Sequence, residues 1–192
     1  MQVFDLTQLR SVPVVPATFT ATAHYSAFSN AHNLWINESS GFAYAVGTSV
    51  CSGGLHMIDL SNPLVPTTAG CFDADGYTHD VECVNYAGPS LAFSGKELCF
   101  ASNEDTVTVV DVTNKAAPVQ VSRSTYPGSG YTHQGVLTPD HRYFLVDDEL
   151  DEQNFGHNTK TLVWDVSDLD APVLVGSHLS SLPAIDHNQY IK

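Results

Sequence analysis

The stretch MIDLSNPLVP, Met57 to Pro66, decides the fold because the chain repeats it. VFDLTQL stands at Val3 to Leu9, VVDVTNKAAP at Val109 to Pro118 and VWDVSDLDAP at Val163 to Pro172. The aspartates of these phrases, Asp5, Asp59, Asp111 and Asp165, recur at intervals of 54, 52 and 54 residues. A period near 50 built from short alternating strands is the signature of β-propeller blades, whereas helical repeats are mostly shorter and carry apolar residues every three or four positions. The expected fold class is all-β, a β-propeller of four-stranded antiparallel blades. An Asp that ends a strand, followed by Ser, Thr or Asn, can accept backbone N–H bonds in the connecting turn. The phrase aspartates are therefore turn-makers, and the Val, Ile and Trp before them are core strand residues.

Working outward, strand and turn signals divide the chain into three complete blades at about 32–72, 79–124 and 133–178, all in a single domain of residues 1–192. Two partial blades flank them. Met1 to Leu9 reads as a third strand and Ala17 to Tyr25 as a fourth, separated by a turn at SVPVVP, while HNQYIK from His187 reads as an isolated first strand at 187–192. A propeller loses its exposed edges only when its last blade meets its first. The strand count thus predicts an open arc or a piece of a larger ring in preference to a closed four-bladed one.

Composition narrows the partners. With 43% hydrophobic and 15% charged residues the chain is ordinary for a globular protein. Its 7 basic and 21 acidic residues give a formal charge of −14, which argues against nucleic acid or an anionic membrane and leaves cations and basic partners. No apolar run approaches the roughly 18 residues of a spanning helix. MQVFDLTQLR lacks the regions of a signal peptide, so the expectation is that any export signal or anchor lies outside this chain.

Four cysteines stand outside any Cys-x-x-Cys motif. Cys83 on a first strand and Cys99 on the second can face each other across a hairpin at the roughly 5.5 Å Cα spacing of a disulfide; Cys51 and Cys71 would then pair around the intervening strand. Disulfides imply an extracellular, cell-surface or periplasmic protein. The plainer reading is four buried thiols.

His32, His79, His133 and His187 each open a first strand, at intervals of 47, 54 and 54 residues. In a propeller the first strand is innermost, so these rings belong near the central channel, on the face that also carries the loops after the second strands. Those loops hold Glu104 and Asp105 in one blade and Asp147, Asp148 and Glu149, within DDELDE, in the next. Imidazole and carboxylate suit a divalent transition metal, and clustered carboxylates suit calcium. The candidate metal ligands are His79, His133, His187 and Asp147. Two plainer readings compete: each His is a latch donating to a backbone carbonyl, and DDELDE is a solvated loop. His24, His56, His141, His157 and His178 occur irregularly and read as surface or edge residues.

The run from CSGGLHMIDL through GYTHDVECV, SNEDTVTVVDV, GYTHQGVLT and DDELDE to VWDVSDLDAP resembles the LVIVD-repeat β-propellers of bacterial surface proteins, of the choice-of-anchor B type. That resemblance covers nearly the whole chain and implies export, a propeller and a separate surface anchor, but no reaction. Two function classes follow. One is an extracellular binding or scaffold module whose channel face takes a protein, glycan or small ligand, with a divalent metal ion as its cofactor. The other is a propeller hydrolase or lyase using the His and acid cluster as general acid and base. The absence of G-x-S-x-G and H-E-x-x-H favours binding.

Overall fold

In the computed structural model, which describes residues 1–12 and 14–191, the repeat phrases are the hinges of three four-stranded antiparallel sheets. A two-residue ladder comes first, β1 (Gln2–Val3) with β2 (Ala23–His24). Blade one follows as β3 (Asn33–Asn37), β4 (Phe42–Val46), β5 (Leu55–Asp59) and β6 (Thr67–Phe72). Blade two is β7 (Asp80–Asn85), β8 (Glu97–Ser102), β9 (Val107–Asp111) and β10 (Val119–Ser124). Blade three is β11 (Thr132–Leu137), β12 (Tyr143–Asp148), β13 (Lys160–Asp165) and β14 (Val173–Leu179). Within each blade the strands pair in chain order, and the first strands pack side by side, β3 on β7 and β7 on β11. The fold is a β-propeller.

Local chemistry repeats as closely as the sequence does. Oδ1 of each phrase aspartate accepts the N–H two residues on: Thr7 at 2.9 Å, Ser61 at 2.7 Å, Thr113 at 3.0 Å and Ser167 at 2.9 Å. In the three blades a second side-chain turn follows, with Asn62, Asn114 and Asp168 accepting from Leu64, Ala116 and Asp170. Each fourth strand then skips one residue in its ladder, at Ala69, Val121 and Val175. Such bulges add twist to the outer strand and separate it from a flat, pairable edge.

The core lies between blades. Tyr44, Met57 and Phe72 of blade one meet Val81, Cys99 and Val110 of blade two, and Phe100 and Val109 meet Phe144, Val146 and Trp164 of blade three. The Trp35 indole N–H donates to the Cys83 carbonyl at 2.8 Å, tying the first two inner strands. Cys83 and Cys99 are cross-strand partners and form a disulfide; Cys51, in the turn before β5, bridges to Cys71 on β6. Two disulfides are the cysteine usage of a secreted or extracellular protein. No helix among the described residues is long and apolar enough to cross a membrane.

Three expectations need correction. The partial blade at 1–25 is reduced to β1 and β2, because the Asp5 carboxylate caps a 3-10 turn at Leu6–Ser11 where the third strand was expected to continue. The SVPVVP turn includes Pro13, outside the described residues. HNQYIK is not a strand: residues 187–191 have no ladder partner and run past β11, where Gln189 N–H donates to Gln134 Oε1 at 2.9 Å. Lys192 lies outside the described residues. DDELDE is not a solvated loop either, since Asp147 and Asp148 end β12, Asp151 and Glu152 open the short helix α1 (Asp151–Phe155), and all four are buried.

Candidate functional site

Four imidazoles stand in a row where the first strands lie side by side. Ring centroids are 3.8 Å apart for His32 and His79, 4.1 Å for His79 and His133, and 4.4 Å for His133 and His187. The repeat explains the row: His32 N–H donates to Val46 O and His79 N–H to Ser102 O, so each ring enters at the mouth of its own first hairpin. His133 differs, being the residue skipped in a bulge where Thr132 pairs with Asp148 and Gln134 with Asp147. A bulge re-aims the side chain of its extra residue. On the outer side of the row Gly47 leaves room for His32, since a Cβ there would lie 2.4 Å from that of His32 and 2.8 Å from the Tyr77 hydroxyl.

The four rings have different partners. His79 is buried and its Nδ1–H donates to the His133 carbonyl at 3.0 Å, which is the latch arrangement. His133 is also buried, but its Nε2 lies 3.7 Å from Glu149 Oε2, and Glu149 Oε1 lies 4.0 Å from His187 Nε2. One carboxylate therefore straddles two imidazoles, and the three ligand atoms all lie within 4.8 Å of one another. Asp147 stands behind His133, its Oδ1 3.9 Å from Nδ1 and accepting the Gln134 N–H at 2.8 Å. Its Oδ2 is buried without a hydrogen-bond partner, as is His133 Nδ1.

Burial, reinforced by the neighbouring rings of His79, His187 and His32, pushes the His133 pKa down to about 4. Burial, followed by the charge of Asp186, pushes Asp147 up to about 8. The ring is thus neutral at ordinary pH, which is the form that can ligate a metal.

The other candidate acids are placed elsewhere. Asp148 is consumed by structure, accepting from Gly130 N–H, Tyr131 N–H and the Tyr126 hydroxyl. Asp105 pairs with Arg123 at 3.1 Å, and Glu104 is exposed, with φ at +62° and its backbone bridged to Thr132. His32 stacks on the row from an exposed position.

A second group was not read from the sequence as a site. Asp151, Glu152 and His157 bring ligand atoms within 4.8 Å of one another, but Lys160 Nζ is already in contact with Asp151 Oδ2 and lies 3.4 Å from His157 Nε2. The ammonium supplies the cation this group needs. Among the irregular histidines, His56 is 4% exposed, not a surface residue. An apolar cleft of about 310 Å³ between Phe4, Leu6, Leu9 and Phe19 offers a single carboxylate, Asp5, which already accepts from Thr7.

Residues 30–74 and 88–125 match the family model of the LVIVD repeat. These two stretches are similar to that repeat. No curated protein sequence matches the chain. Among solved structures it is similar to a protein from Lactobacillus plantarum, at 13% identity and a TM-score of 0.52 over 76% of this chain and 41% of that one. It is also similar to a candidate 6-phosphogluconolactonase from Bacteroides fragilis, at 17% identity and a TM-score of 0.45 over 77% of this chain and 38% of the other. The chain spans about two fifths of the length of these structures, and at such identity the Lactobacillus likeness establishes the fold alone.

Proposed function

We propose that this LVIVD-repeat chain is part of a secreted or cell-surface binding module that recognises its ligand through a divalent transition metal on the channel face. His133 Nε2, Glu149 and His187 Nε2 hold the ion. The observation that carries the reading is Glu149 spanning the two imidazoles at 3.7 and 4.0 Å. These separations are too long for hydrogen bonds, yet ligands about 2.0–2.1 Å from a tetrahedral ion lie roughly 3.3 Å apart, so a small contraction closes the site. Two imidazoles and a carboxylate favour zinc-class ions over calcium, and three protein ligands leave a position open for a donor atom of the ligand. Asp147 takes the orienting role that a carboxylate commonly plays behind a metal-bound histidine. His79 is a latch, and His32 completes the wall of the channel.

The test is zinc titration by calorimetry at pH 7.5, with metal content measured after dialysis. The wild type should take up one ion per chain. His133→Ala, His187→Ala and Glu149→Gln should each abolish uptake, and Asp147→Asn should weaken it by roughly 10–100-fold, as loss of an orienting group does. His79→Ala should keep the stoichiometry and lose about 1 kcal/mol of stability. A wild type that takes up no zinc, or zinc uptake unchanged in His187→Ala protein with native circular dichroism, would rule the metal site out.

A further inference from the structure

The two disulfides occupy opposite environments. Cys83 and Cys99 are 1% and 0% exposed inside the core between blades one and two, whereas Cys71 is exposed and Cys51 half-buried. Cys51 Sγ also lies 3.5 Å from His56 Nδ1. The far side of that ring is anchored: His56 Nε2 is 2.7 Å from the Tyr25 hydroxyl, which is 2.5 Å from Thr68 Oγ1. Phe28 closes the ring edge-on at 5.5 Å.

This chain of contacts sets the direction of the hydrogens. A disulfide sulfur carries no proton, so a bare Nδ1 facing it would be a buried acceptor without a donor. All groups are satisfied when Thr68 donates to Tyr25, Tyr25 donates to His56 Nε2, and Nδ1–H points at Cys51 Sγ. A donor held against one sulfur of an accessible bridge stabilises that sulfur as a leaving thiolate, and thiol–disulfide exchange is faster when the leaving thiol has a lower pKa. Cys51 and Ser52 both hold φ at +53°, a left-handed pair that residues other than glycine disfavour.

We propose that Cys51–Cys71 is a thiol–disulfide exchange site for a dithiol reductant, with His56 as the donor to the leaving sulfur. A reductant thiolate attacks the exposed Cys71 Sγ, forming a mixed disulfide as the Cys51–Cys71 bond breaks and the electron pair goes to Cys51 Sγ, opposite His56 Nδ1–H. The second thiol of the reductant then attacks its own sulfur in the mixed disulfide and expels Cys71 as thiolate. The reductant ends as a cyclic disulfide, oxidised by two electrons, and its two protons end on Cys51 and Cys71. Cys83–Cys99 takes no part.

The experiment treats the intact chain with dithiothreitol under native conditions, quenches with N-ethylmaleimide at intervals, and maps the labelled cysteines by mass spectrometry. Cys51 and Cys71 should be labelled at least roughly tenfold faster than Cys83 and Cys99, and His56→Gln should slow their release severalfold. A Cys71→Ser variant gives a second readout that does not depend on how His56→Gln folds. Its Cys51 thiol, followed by alkylation rate against pH, should titrate below the ordinary value of about 8.5 and return toward it in the Cys71→Ser, His56→Gln double variant. Equal labelling rates for the two bridges, or a Cys51 titration at or above the ordinary value with His56 intact, would overturn the assignment.

Discussion

Replacing Glu97 with alanine is expected to destabilise the chain by about 3–5 kcal/mol, a large share of the roughly 5–15 kcal/mol that holds a domain together. Glu97 is 6% exposed at the seam between blades one and two. Its Oε1 accepts from Asn37 Nδ2 at 2.8 Å, Ser40 Oγ at 2.6 Å and the Tyr44 hydroxyl at 2.6 Å, all from blade one. Its Oε2 accepts from Lys115 Nζ at 2.7 Å, and the Lys115 side chain is itself only 10% exposed. Burial works against the charge, but the bonds from Lys115, Ser40 and Tyr44 outweigh it and hold the carboxyl below its ordinary range. Truncation would leave an ammonium and a phenol buried without their acceptor, which costs far more than the pair contributes when intact. The double variant Glu97→Ala, Lys115→Met should therefore be more stable than Glu97→Ala alone, because the stranded charge is gone. Urea midpoints at constant m-value measure both. A loss under 1 kcal/mol for Glu97→Ala, or a double variant less stable than the single, would show that the seam does not depend on this pair.

Nothing in the sequence marks Glu97 as this anchor, and the reason separates what was legible from what was not. Strand identity, the Asp59, Asp111 and Asp165 turns and the histidine row follow from contacts that recur once per repeat, so their period exposes them. The cysteine pairing was legible because Cys83 and Cys99 lie on adjacent strands of one hairpin. The function of Glu97 depends on partners as far as 60 residues away in the chain, and no periodic signal encodes a contact made once. The same holds for the acids at the end of β12. Asp148 looked equivalent to Glu149 in DDELDE, but the amides of Gly130 and Tyr131 take up its carboxylate and leave Glu149 beside the imidazoles. HNQYIK repeats the opening of a first strand without forming one, since a strand is defined by the neighbour it pairs with and residues 187–191 have none.

Above about pH 6.5, where an unfolded histidine is already neutral, thermal stability is expected to fall toward pH 8. Three carboxyls have folded pKa values far above their unfolded ones: burial pushes Glu82 up to about 7, Asp147 up to about 8 and Asp186 up to about 7. Between the unfolded value near 4 and these folded values each of the three groups binds more protons in the native state, so their contribution declines as pH rises, while buried His133, pushed down to about 4, opposes them only below about pH 6.5. Asp75, Glu97 and Asp111 are shifted the other way by their hydrogen bonds to Thr108, Lys115 and Lys96 among others. Their contribution is present above the ordinary carboxylate range and is lost as pH falls through the lowered folded values, which sets the acid limb. Glu82 gives the cleanest test because it lies apart from the proposed metal ligands. Its Oε2 accepts the Leu137 N–H at 2.6 Å, and a glutamine carbonyl can do the same. In buffer containing a chelator, Glu82→Gln should match the wild type at pH 5 and exceed it at pH 8 by on the order of 2 kcal/mol, read as a higher melting temperature. A variant that gains nothing over the wild type, or melts lower, between pH 6.5 and 8 would mean that Glu82 is ionised at no cost in the folded protein.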